Sequence, residues 1–197
     1  MTQQGGLAEQ GRFKPGDSPI VRGSLSFSAE ELAELRGLVD EESIQGTLQA
    51  GHDGIALENI RRSHVRWLNR EEHGWVFDRC LELILLANKK YLFDITTILE
   101  KIQLSIYDES EQGFYRWHCD LEYFDMRRKL SLTVPLNSPY EYEGGQLEFN
   151  TNGNPFSVDQ EMGRPVVFPS FVLHRVTPVT KGSRYSLVAW AGGAPLC

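Results

Sequence analysis

The chain has 197 residues, 41% hydrophobic and 24% charged, with a formal net charge of -7. That length suits one domain with a proper core and is cramped for two. No apolar run approaches the roughly 18 residues of a membrane span, and the negative balance disfavours a general nucleic-acid binder.

Residues 1–23 have no apolar core behind a basic start, so they read as a flexible lead-in rather than a secretory or transit signal. Cys80, Cys119 and Cys197 are odd in number and scattered, which does not suit a disulfide framework and points to a reducing compartment, the cytoplasm. A single domain is expected over 24–197, with helical support over about 24–95 and a β core over about 96–193.

In "SAEELAELRGLVDEE", Ser28 and Glu31 stand at capping-box spacing, and Leu32, Leu35, Leu38 and Val39 share one face of an amphipathic helix. "SIQGTLQAGHDGIALEN" holds three glycines and little periodicity, and reads as a loop with room for one strand. "NIRRSHVRWL" resembles a short strand. From Glu71 to about Asn88 a second, largely buried helix carries Val76, Cys80, Leu83, Ile84 and Ala87 on one face, widened by Phe77, Leu81 and Leu85.

Beyond it the period changes to two. "EKIQLSIY", "GFYRWHCD", "KLSLTVPL", "GQLEFN", "RPVVFP", "VLHRVTPV" and "RYSLVAWA" are strand-like runs, separated by turn-rich stretches such as "SPYEYEGG" and "NTNGNPFSVDQEMG". The expected class is α+β, mainly β: a double-sheet jelly roll with the N-terminal helices packed on one sheet.

Alternation sorts the side chains within these strands. His118 and Asp120 project to one face and Cys119 to the other, where packing is expected for it. Ile102, Leu104 and Ile106 oppose Gln103, Ser105 and Tyr107, while Leu130, Leu132, Val134 and Leu136 oppose Ser131 and Thr133. The polar face is either a solvent-facing surface or the lining of a ligand-filled pocket, and alternation alone leaves the two equal.

The C-terminal strands favour the pocket. His174 supplies a second imidazole, and the last strand presents Arg184, Ser186, Val188 and Trp190 on one face. An arginine among such neighbours suits bidentate capture of a carboxylate. Two histidines and one carboxylate suit non-haem Fe(II), with positions left for an organic acid and O2.

In the order Tyr107, His118-x-Asp120, His174, Arg184-x-Ser186, with "EGGQLEF" and "PVVFPSFVLHRVTPV" between them, the sequence resembles the Fe(II)- and 2-oxoglutarate-dependent dioxygenases of the prolyl 4-hydroxylase-like branch, from about Asn59 to Gly193. The resemblance implies a double-stranded β-helix with iron held by His118, Asp120 and His174. It implies that Arg184 pairs with the distal carboxylate of 2-oxoglutarate, that Ser186 and Tyr107 hydrogen-bond the same group, and that Thr133 lines that pocket. Trp190 and Val176 would form its apolar wall, and Leu147 stands at an apolar pocket position. Pro135 stands where some members place a co-substrate-binding tyrosine. Asp120, where halogenating relatives carry a small residue, points to a hydroxylase.

The implied cofactors are Fe(II), 2-oxoglutarate as co-substrate and O2, with ascorbate as a stimulant. The implied reaction hydroxylates an unactivated C–H of a prolyl or peptidyl side chain or a free amino acid, and decarboxylates 2-oxoglutarate to succinate and CO2. A natural-product tailoring oxygenase of the same mechanism and a catalytically silent jelly-roll binding or regulatory module are the alternatives. A Zn(II) hydrolase with the same ligands has no use for Arg184 and Ser186. The expected partner is a small-molecule or peptide substrate, with no nucleic acid and no membrane; the sequence does not specify an oligomeric state. Substrate choice is expected to lie with the loop from Ile44 to Asn59, "DESEQG" and "LEYFDMRRK", with Arg62, Arg66 and Arg127 as candidate anchors or surface ion-pair partners.

Overall fold

The computed structural model describes residues 17–24, 27–41, 43–46, 57–121 and 127–194. In chain order the strands are β1 Val21–Arg22, β2 Ile44–Gln45, β3 Arg61–Arg62, β4 His64–Leu68, β5 Thr97–Asp108, β6 Phe114–His118 and β7 Arg128–Pro135. They continue with β8 Tyr142–Gly144, β9 Leu147–Asn150, β10 Phe156–Ser157, β11 Val166–Pro169, β12 Leu173–Val176 and β13 Val179–Gly192. The helices are α1 Ala29–Glu41 and α2 Arg70–Tyr91.

Each expected run is a strand, but the division into a helical first part and a β second part is not clean. The larger sheet runs β1-β11-β7-β13-β5-β4-β2, with β8 added on β13, and the smaller runs β10-β9-β12-β6-β3. Strands on the N-terminal side of α2 therefore edge both sheets. Val21 and Arg22, inside the expected lead-in, pair with Val167 and Val166. Of the loop expected between the helix and "NIRRSHVRWL", residues 47–56 lie outside the described residues, as do 122–126 of "LEYFDMRRK".

Both helices start as their end chemistry dictates. At α1 the Glu31 N–H donates to Ser28 Oγ at 3.2 Å and the Ser28 N–H donates to the Glu31 carboxylate at 2.7 Å, a reciprocal capping box. At α2, Asn69 Oδ1 accepts from the Glu72 N–H at 2.9 Å. This helix outlasts its apolar stripe: Lys89 and Lys90 fill the last turn, where cations complement the helix dipole, and Leu92 closes it at φ 60°. Val76, Phe77, Cys80, Ile84 and Ala87 are buried, whereas Leu85 is 43% exposed and does not widen the stripe.

The helices cover one face of the larger sheet. Leu32, Leu35 and Val39 of α1 and the buried side of α2 form one core with Ile102, Leu104, Leu130, Leu132, Val134, Leu187 and Ala189. Each fully buried leucine or isoleucine there contributes about 1.5–3 kcal/mol. The opposite face is equally dry but polar, with Gln103, Ser105, Ser131, Thr133, Arg184 and Ser186 all buried. The smaller sheet lies over it and contributes Leu147, Phe149, His174 and Val176.

β8 hides in "SPYEYEGG" because its glycines do what side chains cannot. Gly144 has φ +76°, and a Cβ there would lie 2.1 Å from the Pro178 carbonyl oxygen as β8 folds onto β13.

Candidate active site

β6 and β12 run side by side with His118 opposite His174. Asp120 lies just past the end of β6 and is tethered through its N–H to the Ser170 carbonyl at 2.8 Å. The ligand atoms of His118, Asp120 and His174 all fall within 4.8 Å of one another. His118 Nε2 is 3.6 Å from Asp120 Oδ1, and His174 Nε2 is 3.7 Å from Asp120 Oδ2.

Backbone carbonyls set the tautomers. His118 Nδ1 donates to Arg116 O at 2.7 Å and His174 Nδ1 donates to Val172 O at 2.9 Å. A carbonyl only accepts, so Nδ1 carries a proton in each ring and Nε2, which faces the carboxylate, is the atom that can offer a lone pair to a metal. Burial, with His174 nearby, pulls the His118 imidazole down to about 3. Burial alone would raise Asp120, but His174, His118 and the Ser131 hydroxyl outweigh it and hold the carboxyl below its ordinary value. The Trp190 indole N–H acts on Asp120 in the same direction, although it has no partner in good hydrogen-bonding geometry. Two imidazoles and one carboxylate on facing elements are a donor set that fits Fe(II).

Aromatic rings fix the imidazoles. Tyr115 stacks on His118 at 3.5 Å and 16°, and Phe168 meets His174 edge-on at 4.7 Å and 63°. Trp117 instead carries Arg175 over its ring at 4.6 Å. Cys119 stands outside the ligand cluster. It is exposed rather than packed, however, because the chain has left the strand, and its Sγ donates to Phe171 O at 3.2 Å.

A second cluster lies on the same polar face. Arg184 is 2% exposed; its Nε and Nη2 donate to Gln160 Oε1 at 2.9 and 2.7 Å, and its Nη1 donates to Ser186 Oγ at 3.0 Å. Its guanidinium stands 5.5 Å over the Tyr107 ring. Among the described residues no carboxylate pairs with it, so its charge is solvated by two neutral oxygens only. Gly145 permits the close fit: at φ +59° its position would put a Cβ 3.0 Å from Arg184 Cδ. The two clusters are joined through one apolar contact set, in which Tyr107 packs with Val176, Val179 and Tyr115. Val176 is two residues from His174 along β12, about 7 Å.

Tyr107, Arg184, Ser186 and Val176 thus lie together. Thr133 is buried on β7, opposite Val188. Leu147 is buried beside Val176 and packs with Phe149. Trp190 lies elsewhere: it is six residues from Arg184 along β13, about 20 Å, and pairs with Ser131 at the imidazole end. It walls the metal-ligand cluster, not the arginine. Arg62 and Arg66 donate to the carbonyls of Glu58, Glu111 and Leu38. Gln160, Ser170 and Phe168 are the site residues that the sequence did not single out.

Residues 102–192 match the family model described as "2OG-Fe(II) oxygenase superfamily". A PKHD-type hydroxylase from Synechococcus sp. is 29% identical over 175 residues, covering 83% of this chain and 74% of that protein. Residues 102–192 form a 2OG-Fe(II) oxygenase domain. The oxygenase also superposes on a Pseudomonas putida prolyl-4-hydroxylase with TM-score 0.70 at 24% identity, covering 89% of this chain and 93% of that one. A Trichoplax adhaerens prolyl hydroxylase, solved with a hypoxia inducible factor peptide fragment, gives TM-score 0.72 at 18% identity, covering 88% and 83%. The fold is the jelly roll of these prolyl-4-hydroxylase-type oxygenases, and the enzyme is a hydroxylase that uses Fe(II), 2-oxoglutarate and O2. No helix among the described residues is long and apolar enough to cross a membrane.

Proposed function

We propose that His118, Asp120 and His174 hold Fe(II), and that Arg184 takes the distal carboxylate of 2-oxoglutarate, with Ser186, Tyr107 and Thr133 completing that end of the pocket. The observation that carries the reading is the buried Arg184 guanidinium, which no described carboxylate neutralises, joined through Tyr107 and Val176 to the His/Asp/His cluster. A buried unpaired cation is costly, and a carboxylate from outside the chain removes the cost. When bound, iron, 2-oxoglutarate and O2 supply the oxidising power: a C–H becomes C–OH as 2-oxoglutarate and O2 become succinate and CO2. The chain presents two imidazole Nε2 atoms and a carboxylate, and orients the co-substrate through a bidentate guanidinium.

The substrate on this reading is a prolyl or other peptidyl side chain, or a free amino acid. The peptide bound by the Trichoplax neighbour supports the first. Unpaired Cys80 and Cys119 support a reducing compartment, the cytoplasm.

Anaerobic addition of Fe(II) and 2-oxoglutarate should give a visible charge-transfer band, and its absence would overturn the assignment. Succinate release in air then separates a turning-over enzyme from a silent binding module. Screening amino acids and proline-containing peptides for stimulated release, with ascorbate as the expected stimulant, identifies the substrate.

A further inference from the structure

One oxygen of Asp120 accepts a hydrogen bond from a serine hydroxyl that is sealed from water. Ser131 Oγ lies 2.6 Å from Asp120 Oδ2 and 3.0 Å from Ser170 Oγ, and both serines are 0% exposed. An ionised carboxylate only accepts, so Ser131 gives its single proton to Asp120. Ser170 must then donate to Ser131, and the chain of protons runs Ser170 to Ser131 to Asp120. The Ser170 main chain completes the seat: its carbonyl accepts the Asp120 N–H at 2.8 Å, and its own N–H donates to Lys129 O at 3.0 Å.

This seat matters because both carboxylate oxygens face an imidazole, Oδ1 towards His118 and Oδ2 towards His174, at 3.6 and 3.7 Å. A carboxylate so placed can offer a metal one oxygen or two. A site that must also accept a two-toothed oxo acid and O2 has room for only three protein donor atoms in six-fold coordination. A short, charge-assisted hydrogen bond on Oδ2 engages that oxygen and leaves Oδ1 as the better donor.

We propose that Ser131 is a positioning residue that makes Asp120 a one-oxygen ligand through Oδ1, and that Ser170 aims the Ser131 proton. This rests on the iron site proposed above. Loss of the Ser131 hydroxyl frees Oδ2 to compete for the position that the oxo acid needs, so metal uptake survives while co-substrate binding weakens.

The test loads wild type, Ser131→Ala, Ser131→Thr and Ser170→Ala with Co(II) without oxygen. It reads the visible spectrum, the Co(II) affinity and the 2-oxoglutarate affinity, together with the melting temperature of the metal-free proteins. Ser131→Ala is expected to bind Co(II) with an altered spectrum and to lose about tenfold or more in 2-oxoglutarate affinity. Ser131→Thr should restore both, and Ser170→Ala should shift both in the same direction by less. An unchanged spectrum and co-substrate affinity in Ser131→Ala, or a change in melting temperature alone, overturns the proposal while leaving the iron site standing. If Ser131→Ala does not fold, an unchanged Ser170→Ala overturns it. Wild-type protein that takes up no Co(II) overturns the iron site and this proposal together.

Discussion

The two faces of the larger sheet are equally dry and chemically opposite. On the helix side Ile102, Leu104, Leu130, Leu132 and Leu187 are 0% exposed; on the other, Gln103, Ser105, Ser131, Arg184 and Ser186 are at most 4% exposed. A buried polar side chain without a partner costs about 1–3 kcal/mol, so the second face exists only because its groups answer one another. Gln103 donates to Ser105 Oγ at 2.6 Å, Ser131 to Asp120 at 2.6 Å, and Arg184 to Gln160 and Ser186. One strand period therefore serves two ends: alternate positions of β5, β7 and β13 divide the apolar core from the buried polar face, where we propose that the ligands bind. Substitutions on the two faces should separate in the same way.

The largest effect is expected at the ligand cluster. Asp120→Ala removes the only anion of the set and should abolish micromolar Fe(II) binding in anaerobic titration, with the metal-free protein still folded by circular dichroism. Wild-type iron affinity in that variant would remove Asp120 from the ligands. Arg184→Ala comes next. Removing one partner of a buried charge pair costs about 2–5 kcal/mol, so 2-oxoglutarate affinity should fall at least thirtyfold while Fe(II) affinity stays. Equal loss of both would make Arg184 a structural residue and blur the division between the faces.

Much of this division could be read from the sequence, because a period of two is a local property. It assigned Leu130 and Leu132 to one face and Ser131 and Thr133 to the other, and it put His118 and Asp120 together. The Ser28–Glu31 capping box was legible for the same reason: both partners lie within one turn. Contacts made across the fold were not. Gln160 lies in a turn-rich stretch with no period, and only the approach of β13 makes its amide oxygen the acceptor for two Arg184 donors. Ser170 is an unremarkable serine after a proline until Ser131 and Asp120 meet it. Alternation gives the face of Trp190 but not its place along β13, which is opposite Ser131 rather than beside Arg184.

On the helix side, Leu132→Ala tests the other half of the comparison. Leu132 is fully buried in the helix-facing core and stands between Ser131 and Thr133 on β7. The cavity should cost about 2–5 kcal/mol in urea unfolding, with 2-oxoglutarate affinity of the folded protein within about twofold of wild type. Co-substrate affinity falling as steeply as stability would mean that β7 transmits strain through its own backbone, and the two faces would not be independent.

The smallest effect sharpens the comparison most, because it can be set against a chemically identical change. Ser28→Ala and Ser131→Ala each delete one hydroxyl that makes a hydrogen bond to or from a glutamate or aspartate segment. At Ser28 the hydroxyl accepts from the Glu31 N–H and donates to the Glu30 carboxylate at the exposed start of α1, and water can replace both bonds. The Ser28 N–H still donates to the Glu31 carboxylate, so half of the capping box remains. The expected cost is therefore that of an ordinary N-cap, about 1 kcal/mol, or a fall of about 2–4 °C in melting temperature for a domain of this size. The anaerobic charge-transfer band and co-substrate affinity should match wild type. At Ser131, sealed from water, the same deletion should move the metal spectrum and co-substrate affinity. If both substitutions moved only the melting temperature, the polar face would be a second core whose hydroxyls merely pair; if they part as stated, serine on the inner face has been placed for the ligand.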